Sequence, residues 1–191
     1  MPTKSALVGM LAAAMGLEKG SEREVQWLPR LASLRLLVIQ MPSPHQGRLR
    51  DYHTVQNVRK ASGGIKETEL TEREYHTDAR FLALLEGEAN VVGTAAEAMA
   101  DPVFGVWLGR KACVPSAPVF VSVFDSEDEA LPKLLEGKPL ETFTHEREVT
   151  ELKAGTDTRP DQPISFGEPG LARKPRQMAP RRIHRHVRTE E

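Results

Sequence analysis

The chain has 191 residues and a net charge of -1, from 26 Lys plus Arg against 27 Asp plus Glu, which suits one domain with a hydrophobic core. Its longest apolar run, from Ala6 to Met15, is about half of what a bilayer needs, and a lone early cation, Lys4, with no small-residue cleavage site argues against a secretory signal. A single cysteine, Cys113, excludes a disulfide scaffold and any Cys-built zinc or iron-sulfur site, so the expected compartment is the cytoplasm.

In chain order, Pro2-Thr3-Lys4-Ser5 leads straight into the apolar run, which predicts a helix capped by Ser5 and ended by Gly16. Apolar residues surround it, so it should be buried between other elements. Ser21 and Glu24 have capping-box spacing for a short second helix that Pro29 stops. Leu34 to Met41 reads as a strand closed by Pro42-Ser43-Pro44. Residues 45–77 carry little apolar periodicity and predict a protruding thumb, a loop or hairpin. Long excursions without their own core are functional or disordered, and the basic first half favours function. Asp78 to Leu85 resumes as a strand, and Thr94 with Glu97 predicts a capped short helix to Ala100. Pro102 to Leu108 and Val119 to Phe124 read as extended segments, with a Pro-punctuated loop between them. Ser126 and Glu129 cap a helix through Leu135, which Gly137 closes. From 152 to 191 the chain is polar and basic, with a last strand near Ile183 to Val187.

This order predicts one α+β domain over 1–191, in the ferredoxin-like manner of an RNA-recognition-type antiparallel sheet with helices on one face. Such a sheet normally opens with a strand. Here a helix comes first, so the first strand is expected to be missing, leaving an unpaired edge and an exposed apolar face.

Charge is partitioned along the chain. His45 to Lys66 holds five cations and one acid, net +4; Asp125 to Glu151 is net -6; Leu171 to Glu191 is net +5. Two basic stretches flank an acidic middle, and the first carries Tyr52, His53, Gln56 and Asn57 among its cations. Phosphate attraction together with base stacking calls for that mixture, although a solvated face explains charge runs as well.

No phosphate-binding Gly-Lys-Ser/Thr loop, Gly-x-Ser-x-Gly elbow or His-Glu-x-x-His helix occurs, and no cofactor is expected. His184 and His186 would share one strand face, but nothing supplies a third ligand, so no metal site is expected. Asp125 to Glu129 lacks the Gly and distal Glu of a calcium loop. Cys113 has Arg110 and Lys111 beside it but no nearby His, which leaves it without a base.

Leu49-Arg50-Asp51-Tyr52-His53-Thr54-Val55 is more informative. Arg50 offers a fork for phosphate, Tyr52 a stacking face, and His53 and Thr54 hydrogen-bonding groups, with Tyr52 and Thr54 on one face. Trp107-Leu108-Gly109-Arg110-Lys111 places a ring before a glycine and two cations, although spacing alone favours a buried Trp at a strand end with solvated cations. Acid-base chemistry by His53 with Tyr52 or Lys66 is the alternative use of these groups, in RNA cleavage.

Three blocks, Pro2 to Leu17, Leu49 to Val55 and Trp107 to Pro115, together with weaker similarity from Ser165 to Val187, resemble in order and spacing the CasD subunits of the type I-E CRISPR surveillance complex Cascade. The resemblance implies a ferredoxin-like body with a thumb that holds the 5′ handle of CRISPR RNA and separates it from the first guide nucleotides. It implies contact with the backbone subunits and with the large subunit that inspects foreign DNA, hence an indirect relation to target DNA and no membrane. Subunits of this branch are not the processing nuclease, whereas a sister branch in type I-C cuts. Carried over by position, RNA contact falls on Arg50, Tyr52, His53 and Thr54, on thumb cations Arg59, Lys60 and Lys66, and on Trp107, Arg110 and Lys111. Lys4 and Ser5, at the start of the first helix, are expected to face phosphate. The chain departs from the pattern at Met1, which stands where the family has an internal position.

Overall fold

In the computed structural model, residues 1–60, 62–151, 154–167 and 176–188 are described. The first helix, α1 (Lys4–Ala14), is capped by Thr3 rather than Ser5: the Thr3 hydroxyl accepts the Ala6 N–H at 3.3 Å. The reason lies across the fold, where the Asp161 carboxylate accepts the Lys4 N–H at 2.9 Å and fixes the first turn one residue early. Gly16 does end the helix. Its φ is +65°, its N–H reaches Ala13, and the Leu17 N–H reaches back to Ala12, the Schellman pattern of a left-handed C-terminal residue. An added Cβ at Gly16 would meet Val103 at 2.8 Å.

The second helix, α2 (Glu22–Ser33), starts at the expected cap, with the Ser21 hydroxyl accepting the Glu24 N–H, but runs through Pro29 instead of stopping there. Proline removes the N–H that would reach Val25. Val25 is 72% exposed, so water can serve that carbonyl, while the turn beyond Pro29 buries Leu31 completely. Burying such a side chain contributes about 1.5–3 kcal/mol, enough to carry the helix past the break. Val8, Leu11 and Met15 of α1 pack with Leu28 and Leu31 of α2, and with Val91 and Ala95 of α3 (Ala89–Ala100). That third helix begins five residues before the expected cap; Thr94 lies inside it, donating to the Asn90 carbonyl at 2.8 Å.

Strands β1 (Arg35–Met41), β4 (Arg80–Glu86), β5 (His145–Glu148), β6 (Thr156–Ser165) and β7 (Gln177–His186) form one sheet in the order β4-β1-β5-β7-β6, with β2 (Gly47–Arg59) and β3 (Ile65–Thr77) forming a separate two-stranded sheet. The β1/β5, β5/β7 and β6/β7 pairs are antiparallel. Four consecutive residues of β1, Leu36 to Ile39, are buried, the pattern of a strand covered on both faces. Leu36 and Val38 pack with Leu7 of α1. On the other face, Leu37 pairs in register with Arg147, whose guanidinium donates to Glu127 of α4 (Glu127–Leu134) at 2.5 and 2.6 Å. The Ser126 hydroxyl caps α4, accepting from Glu129.

Two expected extended segments are not strands. Residues 102–108 instead serve the end of α1, with the Val103 and Phe104 N–H groups donating to Ala14 and Ala13. Residues 119–124 join no ladder, and Val121 and Val123 stay 63% and 51% exposed. Conversely, β6 forms across Pro160 and Pro163, in a stretch where the sequence pointed to a strand only near Ile183 to Val187. It is an edge strand, where a missing N–H costs little, and its register against β7 shifts between Arg159 and Gln162 around Pro160. Part of the basic C-terminal stretch, residues 168–175 and 189–191, lies outside the described residues.

The chain divides into two compact units, Met1–Gln40 with Phe81–Glu191, and Met41–Arg80. The second is the hairpin expected at 45–77.

Candidate nucleic-acid interface

The hairpin keeps one register from Gly47↔Thr77 to Arg59↔Ile65, interrupted only at Asn57, whose φ is +54°. Gly63 and Gly64 both take positive φ in the connecting turn, where the Lys60 N–H reaches the Gly64 carbonyl at 3.1 Å. Strand alternation sorts the recognition block. Arg48, Arg50, Tyr52, Thr54 and Gln56 share one face with Glu72, Glu74 and Leu70 of β3; Leu49, Asp51 and His53 share the other with Thr71, Arg73 and Tyr75. Arg50, Tyr52 and Thr54 are therefore brought together as expected, and His53 is not. The Thr71 hydroxyl donates to the His53 carbonyl at 3.2 Å on that opposite face. Tyr52 is 63% exposed, an open ring on a ladder with little core of its own.

The cations of this unit are less free than the first half of its sequence implies. Residues 41–80 hold seven cations and six acids, because Glu67, Glu69, Glu72 and Glu74 of β3 stand against the basic β2. Arg50 pairs with Glu72, and Lys66 with Glu69. Arg59 and Lys60, by the turn, are exposed, and among the described residues no carboxylate pairs with them. The signal in the sequence was the pair of acids two apart, followed by another such pair, continuing past the basic stretch.

In the other unit, residues 107–111 form a tight turn held by the Leu108 N–H donating to the Cys113 carbonyl at 2.9 Å. Gly109 has φ +74° and Leu108 packs beside Leu7, Leu36 and Val38. Trp107 is half-buried with the Lys111 ammonium 5.8 Å above its ring, and Arg110 and Lys111 are exposed. The segment thus combines both readings of its sequence: an anchored ring and surface cations.

Lys4 requires correction. Expected to face phosphate, it is fully buried, its ammonium donating to both oxygens of Glu148 at 2.8 and 2.9 Å. Burial lowers its pKa and the Glu148 hydrogen bond opposes that shift. Arg181 joins the same cluster, its Nε and Nη2 donating to Asp161 at 2.6 and 3.0 Å. The helix start binds the sheet's own carboxylates, which leaves no anion site there. Ser5 is half-buried, its hydroxyl 3.2 Å from that of Thr3.

His186, considered above with His184, is also engaged: its Nε2 donates to the Glu141 carbonyl at 2.8 Å and its ring stacks on buried His145 at 5.0 Å. His145 directs Nδ1 at the Phe143 carbonyl, 3.0 Å away, so it holds its proton there. Burial pushes its pKa below the ordinary 6.5. The unfolded chain then binds more protons than the folded one below pH 6.5, so stability must fall as pH drops through that value. Thermal melts of the full chain should show Tm declining from pH 7 to pH 5, with His145→Gln flattening the decline. A slope unchanged in the variant would place the effect elsewhere, and not at Glu127, whose Arg147 hydrogen bonds hold its carboxyl below its usual range so that its contribution is lost only at lower pH.

Among the described residues, no helix is long and apolar enough to cross a membrane.

Residues 1–184 match the family model described as CRISPR-associated protein (Cas_Cas5). The chain is 31% identical over 136 residues to the CRISPR system Cascade subunit CasD of Escherichia coli (strain K12), a match covering 66% of this chain and 61% of that protein. It therefore spans about three fifths of the length of that curated relative. Among solved structures it superposes on a chain of a CRISPR RNA-guided surveillance complex with TM-score 0.68 and 28% identity, over 97% of this chain and 78% of the other. A second, described as the crystal structure of a Cas protein, gives TM-score 0.65 and 29% identity over 98% and 80%. These likenesses agree with the α+β, ferredoxin-like fold built above. A family match over nearly the whole chain, joined to this fold and to the resemblance in the 2–17, 49–55 and 107–115 blocks, means that the chain belongs to the Cas5 family of CRISPR-associated proteins.

Proposed function

We propose that this chain is an RNA-binding assembly subunit of a CRISPR surveillance complex that holds the 5′ handle of CRISPR RNA and acts by binding, without cleaving. The observation that carries this reading is the hairpin face on which Arg50, Tyr52 and Thr54 alternate on an exposed two-stranded ladder. A charged fork, a stacking ring and a hydroxyl at every second residue suit a splayed strand, whose phosphates and bases are met in turn. Exposed Arg59 and Lys60, and Arg110 and Lys111 on the other unit, add backbone attraction. The names of the relatives, a Cascade subunit and an RNA-guided surveillance complex, point the same way. Partners are then CRISPR RNA, the backbone and large subunits and, through them, target DNA, in the cytoplasm.

Metal-independent RNA cleavage gains nothing from the geometry. Its acid-base pair would draw on His53 with Tyr52 or Lys66, and the ladder puts both of these on the face opposite His53. The test is retention of labelled repeat RNA with an intact or a scrambled 5′ handle, in chelator, with the other complex subunits co-expressed. Handle-dependent retention of uncut RNA is expected. Site-specific cuts in the absence of the processing subunit would make the chain an endoribonuclease, and retention indifferent to the handle would make it a nonspecific basic adaptor.

A further inference from the structure

The basic C-terminal stretch does not act as one patch, because the fold spends its cations differently. Arg181 is buried against Asp161, Arg185 lies 3.6 Å from Glu146, and Arg176 sits 5.6 Å over the Phe166 ring. Arg182 is set apart. It is exposed, one guanidinium nitrogen donates to the Thr150 carbonyl at 3.0 Å, and among the described residues no carboxylate pairs with it. Two residues on, His184 is exposed as well. Register pairs Arg182 with Thr158 and His184 with Thr156, so the four share one face of the β6–β7 ladder, opposite the face that buries Arg181 and Ile183. No acid occupies these register positions. A cavity of about 430 Å³ adjoins them, lined by Thr150, Thr158, Gln162 and Arg182 and also by Glu148, whose carboxylate is taken up by Lys4 and Arg181. It opens where β6 slips against β7 between Arg159 and Gln162, the kind of irregularity that re-aims side chains.

We infer that this face of β6–β7 is a second contact for single-stranded RNA, in which Arg182 and His184 meet successive phosphates and Thr158 and Gln162 meet the ribose hydroxyls between them. Alternate residues of a strand stand about 6–7 Å apart, comparable to the step between phosphates of an extended single strand. Thr150 occupies one of the five guanidinium donors and orients the group, leaving a fork for phosphate. Hydroxyl and amide groups beside it match the 2′-hydroxyl, which donates and accepts. An acidic peptide would want apolar side-chain pockets, whereas the four paired positions are polar and the adjoining cavity adds only Val149 and Pro180 as apolar groups. The inference rests on the RNA-binding reading above but uses a different pair of strands.

The test is titration of the full chain against labelled single-stranded RNA by fluorescence anisotropy across a range of salt. The Arg182→Gln/His184→Gln variant, which loses the Arg182 charge, should bind about fourfold more weakly near physiological salt, and its log–log salt slope should flatten by about 0.7. Arg182→Lys should keep the slope. Both positions are exposed, so thermal melts should match the unaltered chain and exclude misfolding as the cause. Unchanged affinity and slope in the double variant, while Tyr52→Ala weakens binding, would overturn this second contact and leave the hairpin reading standing. Absence of RNA binding by the unaltered chain would overturn both. An acidic peptide that binds more tightly than RNA and depends on Arg182 would give the face to a protein partner and overturn the assignment.

Discussion

Replacing Glu148 with alanine should lower the melting temperature of the full chain by about 6–20 °C. That range comes from about 3–5 kcal/mol for stripping the partner from a buried charge, at about 2–4 °C per kcal/mol for a chain of this size. The Lys4 side chain is 1% exposed and, among the described residues, both of its side-chain hydrogen bonds go to Glu148. Without them a cation would stand in a site that already lowers its pKa by desolvation. The neighbouring Arg181 Nη1, 3.8 Å from Glu148, would add like charge. Lys4→Met should cost far less, because an apolar chain of similar length needs no partner and Glu148, 15% exposed, keeps Arg181. Lys4→Met/Glu148→Leu should recover most of the loss. Calorimetric melts of the three variants decide the matter, and equal losses in Glu148→Ala and Lys4→Met would mean that packing, not an uncompensated charge, sets the effect.

This cluster also shows where reading the sequence runs out. Lys4 stands at the start of an apolar helix, where a cation ordinarily looks outward, and its partner Glu148 lies 144 residues away while Asp161 lies 157 away. No local pattern encodes such a pairing; only the docking of α1 on β5, β6 and β7 creates it. Features set by neighbours within a turn were legible. Gly16 as a helix end, Ser21 and Ser126 as caps and the hairpin over 45–77 all depend on contacts a few residues apart or on two facing strands joined by a short turn.

Features set by burial were not. Pro29 is a helix breaker by its chemistry, and the helix passes it because Leu31 and Ala32 fill the core beyond it. The extended pattern of Val119, Val121 and Val123 suggests a strand by β-propensity, yet no neighbour supplies a ladder, while proline-bearing β6 finds one at the sheet edge. Propensity ranks segments, and available partners decide among them. For the candidate site the same division holds. Alternation alone put Tyr52 with Thr54, but the charge of the face depended on register: Glu72 and Glu74 stand opposite Tyr52 and Arg50, and a count that stops at Lys66 overlooks them.

That register yields a prediction with opposite signs on the two strands. Tyr52→Ala should weaken binding of single-stranded handle RNA by about 5- to 150-fold, the equivalent of about 1–3 kcal/mol for one stacked base. Tyr52→Phe, which keeps the ring, should retain most of the affinity. Glu72→Gln should tighten binding by about fourfold near physiological salt and steepen the salt slope by about 0.7, because it removes a carboxylate from the recognition face and releases the Arg50 fork. Both partners of that pair are at least half exposed, at 66% and 50%, and such pairs contribute little to stability. Thermal melts of Glu72→Gln should therefore match the unaltered chain, separating the gain in binding from any change in folding. Arg50→Ala should lose less than Tyr52→Ala, since its guanidinium is already shared with Glu72 and must be released before it can meet a phosphate. Anisotropy titrations of the four variants check the order. A Tyr52→Ala affinity within twofold of the unaltered chain, or weaker binding by Glu72→Gln, would mean that RNA does not use this face of the hairpin.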